Sequence, residues 1–109
     1  MNNENGVSAV EHVGYRATHE TDKVIEFSAG RRTLYLVKKG LHLHLVIPEQ
    51  VASGVPSDLD VGSRDRYHNR NLRMFDLRRN NGRKPTHYGT SIKPQTTDDL
   101  VRFLEWFKK

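Results

Sequence analysis

Cysteine is absent from the chain. Without a thiol there is no disulfide, no thiolate nucleophile and no cysteine-bound zinc or iron–sulfur cluster, so the fold has to hold by packing alone. Long apolar runs are absent too: the longest, Leu41 to Ile47, is broken by His42 and His44 and is far too short to span a bilayer. Met1 to Gly6 is Asn-rich with one Glu, unlike the basic and then apolar start of a secretory leader. These absences predict a soluble cytoplasmic chain with no membrane partner. No spacing of residues amounts to a recognised catalytic or cofactor signature, so the sequence points away from an enzyme and implies neither cofactor nor metal.

What is present is enough for one core. The chain has 109 residues, 35% of them hydrophobic, which fits a single domain. Residues 1–6 have no apolar anchor and are expected to be disordered, leaving 7–109 as the folded domain. Val7, Val10 and Val13 recur every third residue and predict a short helix closed by Gly14. Strands are expected at Lys23 to Ser28 and Arg32 to Val37, with Ala29-Gly30-Arg31 as the turn. Leu41 to Ile47 alternates cleanly, with Leu41, Leu43, Leu45 and Ile47 on one face and His42, His44 and Val46 on the other. Such short connections join antiparallel neighbours and predict a meander.

Residues 49–62 contain Gly, Pro, Ser and Asp without periodicity and read as a long loop. Asn71 to Arg78 reads as a bulged strand, Asn81-Gly82 as a hairpin tip and His87 to Lys93 as the returning strand. The last segment carries Thr96 or Thr97 as N-cap, Asp98 and Asp99 in the first turn, and Leu100, Phe103, Leu104 and Phe107 as an apolar stripe. The fold expected is therefore α+β: an antiparallel sheet of about five strands, meander plus basic hairpin, packed against a C-terminal amphipathic helix, with a short N-terminal helix besides.

Charge is spread unevenly. Residues 1–30 hold two basic and five acidic residues; residues 31–47 hold four basic and no acidic ones; residues 64–84 hold eight basic and two acidic. The sharpest functional expectation rests on the last segment, where Arg64, Arg66, Arg70, Arg73, Arg78, Arg79, Arg83 and Lys84 are interleaved with Tyr67, His68, Asn69, Asn71, Asn80 and Asn81. Arg and Lys take phosphates, while aromatic and amide side chains stack on bases and read their edges. Arg31, Arg32, Lys38 and Lys39 are expected to assist. Nucleic acid is the first partner this implies. An acidic protein surface is the second, and an accessory protein-interaction domain, a homodimer using the open sheet edge or Trp106, is the alternative.

Two other clusters carry less. His42-Leu43-His44 with Glu49 is similar in spacing to the first motif of cupin barrels, but Leu36 stands where that motif has Gly and no second motif follows. Two imidazoles fall short of the three or four ligands a metal needs, so they read as exposed-face histidines. His87, Tyr88, Thr90 and Ser91 bring a titratable ring near hydroxyls, yet no carboxylate is positioned to orient the base, and ordinary cross-strand pairs are the simpler reading.

From Arg32 onward the order of features resembles an uncharacterised small α+β accessory domain found alone or fused to predicted restriction-type nucleases. The residues that carry the likeness are the turn and Leu-x-Leu-x-Leu strand from Lys38 to Leu45, Asp60-Val61, His87-Tyr88-Gly89-Thr90, and the Asp-Asp-Leu start of a closing helix at Asp98. This chain departs from the pattern by inserting the Arg-rich stretch 64–84. The resemblance implies no catalytic residue.

Overall fold

The C-terminal segment folds as its local chemistry dictates. In the computed structural model, which describes residues 2–62, 64–78 and 85–109 and only the backbone of Arg78, helix α3 runs Thr97–Phe107. Thr96 Oγ1 accepts the Asp99 amide at 3.1 Å. Leu100, Phe103, Leu104 and Phe107 are all buried. Thr96→Ala is expected to cost about 1 kcal/mol in urea unfolding, the usual worth of an N-cap hydroxyl.

Helix α1 spans Asn3–Val13 and so begins four residues before Val7. The expectation of a disordered start fails for residues 2–6, because the Asn2 side chain accepts the Asn5 amide at 2.9 Å and Asn3 Nδ2 donates to the Lys38 carbonyl at 2.7 Å. Met1 lies outside the described residues. Gly14 closes the helix at φ 113°, a left-handed conformation that glycine adopts without strain. Lys108 Nζ donates to the Val13 carbonyl at 2.9 Å, so a cation sits on the negative end of α1.

Between the helices the chain forms β1 (Arg16–Glu20), β2 (Val24–Ala29), β3 (Arg32–Val37), β4 (Leu45–Ile47), the short helix α2 (Glu49–Ala52), β5 (Asp65–His68), β6 (Leu77–Arg78) and β7 (Thr86–Ile92). Among the described residues six strands lie in the order β1-β2-β3-β4-β7-β5, with β6 paired to the start of β7, and each of these pairings is antiparallel. The α+β class holds, with one strand more than expected along the main path.

The structure departs from the sequence reading in three further places. The strand expected from Leu41 is paired only from Leu45 to Ile47: the chain turns at residues 39–42, Leu41 is 87% exposed, and Leu43 packs against Gly6 of α1. Instead of a strand through 71–76 there is a run of turns, in which the Leu72 amide donates to the Asn69 carbonyl and the Phe75 amide to the Leu72 carbonyl. Leu72 and Phe75 are both buried while Met74 is exposed, a three-residue period that a bulged strand mimics in sequence. Finally, β1 and β5 are polar edge strands, and β1 is exposed along its whole length.

The sheet is buried on both faces at its centre. On one side Phe27, Leu34, Leu36, Leu45, Ile47 and Ile92 pack with Val10, Leu100, Phe103, Leu104 and Phe107 of the two helices. Tyr15 OH donates to the Leu104 carbonyl at 2.7 Å beneath this layer, and burial pushes its phenol well above the usual range. On the other side Val24, Tyr35, Val37 and Val46 pack under Leu72 and Phe75. The face opposite α3 is thus roofed by the 69–76 segment.

Candidate nucleic-acid interface

The Arg-rich segment is held to the sheet by a buried carboxylate. Register places Glu26 of β2 opposite Tyr35 of β3, and a bulge in β1 between Ala17 and His19 turns Thr18 toward it. Glu26 is 2% exposed and accepts four hydrogen bonds: from Thr18 Oγ1 and Tyr35 OH at 2.7 Å each, from Arg73 Nε at 3.1 Å and from Arg73 Nη2 at 3.2 Å. Burial pushes its carboxyl upward, but the bonds from Arg73, Thr18 and Tyr35 together outweigh this and hold it near 2. Tyr35 OH also accepts the Met74 amide at 3.0 Å, so the same phenol ties the 69–76 segment to β3. Arg73, expected to contact nucleic acid, is instead engaged with Glu26.

Just before this clasp the chain leaves β5 through an Asx turn, in which Asn69 Oδ1 accepts the Asn71 amide at 2.8 Å. A second polar turn joins β1 to β2, where Thr21 Oγ1 accepts the amides of Lys23 and Val24 at 3.2 Å. These turns belong to opposite ends of the strand order, yet they line one open hollow of about 570 Å³ together with Thr86. The sheet therefore curls across the 69–76 segment. Its two ends bring Lys23 and Arg70 into the lining of that hollow, with His68, Asn69 and Asn71 and with Asp22 as the one acidic member. Among the described residues, neither the Arg70 nor the Lys23 side chain has an ion-pair or hydrogen-bond partner.

No family model, curated protein or solved structure matches the chain. Its chemistry has to be read from its own residues.

The remaining expected contacts scatter. Arg64 is exposed just before β5. Arg66 pairs with Glu49 at 3.1 Å in an exposed bridge of little energetic weight. Lys38 pairs with Glu20. Arg31 and Arg32 line a separate hollow with Lys108 and Lys109, and the Arg32 guanidinium carbon lies 5.8 Å from the Phe107 ring centroid. They sit at the Ala29 end of the β2–β3 hairpin, whereas Lys23 precedes the Val24 end. A strand of that length separates them by roughly 17 Å. Arg79, Arg83, Lys84, the side chain of Arg78 and the Asn81-Gly82 tip lie outside the described residues.

The histidine clusters do not assemble into sites. His42 is exposed, while His44 Nε2 hydrogen-bonds with Ser91 Oγ and its ring stands at 84° to Tyr67. Burial and then the charge of Lys93 lower the His44 pKa. His87 Nδ1 lies 2.6 Å from the Phe75 carbonyl oxygen. Among the described residues no group of three or more His, Asp or Glu converges as a metal would need. No described helix is long and apolar enough to cross a membrane.

Sequence reasoning missed Lys23 and the separate use of His68. Thr21-Asp22-Lys23 is legible as a turn, but its meeting with residues 68–71 depends on the curl of the whole sheet.

Proposed function

We propose that this chain is a non-enzymatic nucleic-acid-binding module, working in the cytoplasm, that grips a phosphate backbone through Arg70 and Lys23, with Arg64, Arg78, Arg79, Arg83 and Lys84 as the further cations of the same stretch of sequence. The observation that carries this reading is a pair of cations, Arg70 and Lys23, that line one hollow and have no side-chain partner among the described residues. Two cations without carboxylate partners are poised to release counterions on meeting an anionic chain. Asn71 and His68 add groups suited to a base. Arg66, already paired, has a lesser part, and Arg73 serves by holding the segment in place.

The test is fluorescence polarisation with a labelled oligonucleotide at several salt concentrations. Replacing Lys23 and Arg70 together by Ala is expected to weaken binding about tenfold and to flatten the dependence on log salt by about one to two. Arg66→Ala should do less. Unchanged affinity and slope in the double variant would sink the reading.

A second reading, a protein-interaction domain or homodimer, draws on Met74 and Leu77, which are 62% and 58% exposed, Met74 lining a small hollow with Pro48, Gln50, Phe75, Asp76 and Tyr88. The β1 edge is less suited to this role, since Arg16, His19, Glu20 and the bulge all oppose strand addition. A dimer in light scattering that persists at high salt, with no oligonucleotide shift, favours this second reading.

A further inference from the structure

We infer that the hollow takes single-stranded rather than duplex polynucleotide, with an unpaired base laid on His68 and its flanking phosphates held by Arg70 and Lys23; this rests on the nucleic-acid reading above. The strand alternation of β5 separates its two aromatic residues. Tyr67 turns toward the roofed face, where His44 stands against it, and His68 turns to the other face, opposite Tyr88 of β7. The His68 and Tyr88 rings are 6.1 Å apart at 33°, so Tyr88 backs the imidazole from one side. His68 itself is only partly buried and lines the hollow with Arg70 and Lys23.

Volume and chemistry both favour one nucleotide at a time. A hollow of about 570 Å³ falls within the range that takes a small organic molecule. A ring, two cations and an amide that line the same hollow offer a stacking face, phosphate contacts and an edge-reading group. In a duplex the base faces are covered by their neighbours, and only an unpaired base can meet the His68 ring. The helices point the same way. A duplex is commonly read by a basic helix in the major groove. Here α1 and α2 contain no Lys or Arg, and the single Arg of α3, Arg102, lies 3.5 Å from Asp58.

The experiment compares labelled 12-mers by polarisation on the full chain: a thymidine strand, a uridine strand, and a mixed-sequence strand alone and annealed to its complement. Either homopolymer, and the mixed strand, should bind at least tenfold more tightly than the duplex. His68→Ala should weaken single-strand binding about tenfold with the salt dependence unchanged, because a stacking contact is lost and no phosphate contact is. His68→Phe, which restores a ring, should recover most of the affinity. Equal or tighter binding of the duplex, or a His68→Ala variant indistinguishable from the parent, overturns the inference while leaving the nucleic-acid reading standing. Failure of the unaltered chain to bind any of the four probes overturns both.

Discussion

Arg73→Met is expected to lower the stability of the fold by about 2 kcal/mol and to flatten its dependence on pH in the acid range. The variant leaves Glu26 buried with two of its four donors, and breaking a buried ion pair from one side ordinarily costs about 3–5 kcal/mol. Here the Arg73 side chain is 53% exposed, so water reaches the vacated position and the cost is smaller. The pH effect has a definite sign. The folded-state Glu26 carboxyl is lowered from 4.5 to about 2, so between those values the unfolded chain binds the proton and the folded chain does not. Stability from this group is present above about pH 5 and is lost as pH falls toward 2. A displacement of that size corresponds to about 3 kcal/mol before screening is allowed for. Urea unfolding of parent and variant at a series of pH values between about 2.5 and 7 checks both parts. Arg73→Lys, which keeps the charge without the two-pronged geometry, should fall between them. A variant with the parent's stability and acid profile would show that the clasp holds nothing.

Gly89→Ala should be at least as damaging, by about 3 kcal/mol, although it adds one methyl group. A Cβ at that position would lie 2.7 Å from the Ile47 carbonyl oxygen, 2.7 Å from Val46 Cγ1 and 3.0 Å from Phe75 Cδ2. Overpacking usually costs about 1–3 kcal/mol, and the upper end applies because the nearest obstacle includes backbone that no rotamer change moves. Either β7 parts from β4, or Phe75 lifts and loosens the 69–76 roof. Thermal unfolding should show a midpoint lower by roughly 12 °C or more. A shift of only a degree or two would mean that the sheet and its roof have slack that the close approach at Gly89 does not reveal.

Some of this architecture was readable directly. The C-terminal helix announced itself through Thr96, Asp98, Asp99 and the stripe from Leu100 to Phe107, all signals that act within a few residues. The strand Arg32–Val37 was bounded by its turn and by β-branched and aromatic residues, and its limits agree with the structure. Leu41 to Ile47 had the right period and the wrong extent, because the packing of Leu43 against Gly6 outweighs alternation. Leu72 and Phe75 lie in a segment that reads as a bulged strand, while their spacing belongs to successive turns. The edge strands β1 and β5 left almost no trace, since an exposed strand is chosen by the neighbour it pairs with and not by its own side chains.

The candidate site divides the same way. The sequence by itself determined that a basic, amide-rich stretch would follow the meander and that α3 would close a core, because charge, capping and helical period are written in adjacent residues. Only the tertiary structure decided which arginine does what. Arg70 and Arg73 are three residues apart and chemically identical, yet one lines an open hollow with Lys23 and the other is bound to Glu26, 47 residues away in sequence. The physical reason is that a buried carboxylate claims whichever cation the fold brings within hydrogen-bond reach, and that reach is set by strand register, the β1 bulge and the curl of the sheet, none of which is local.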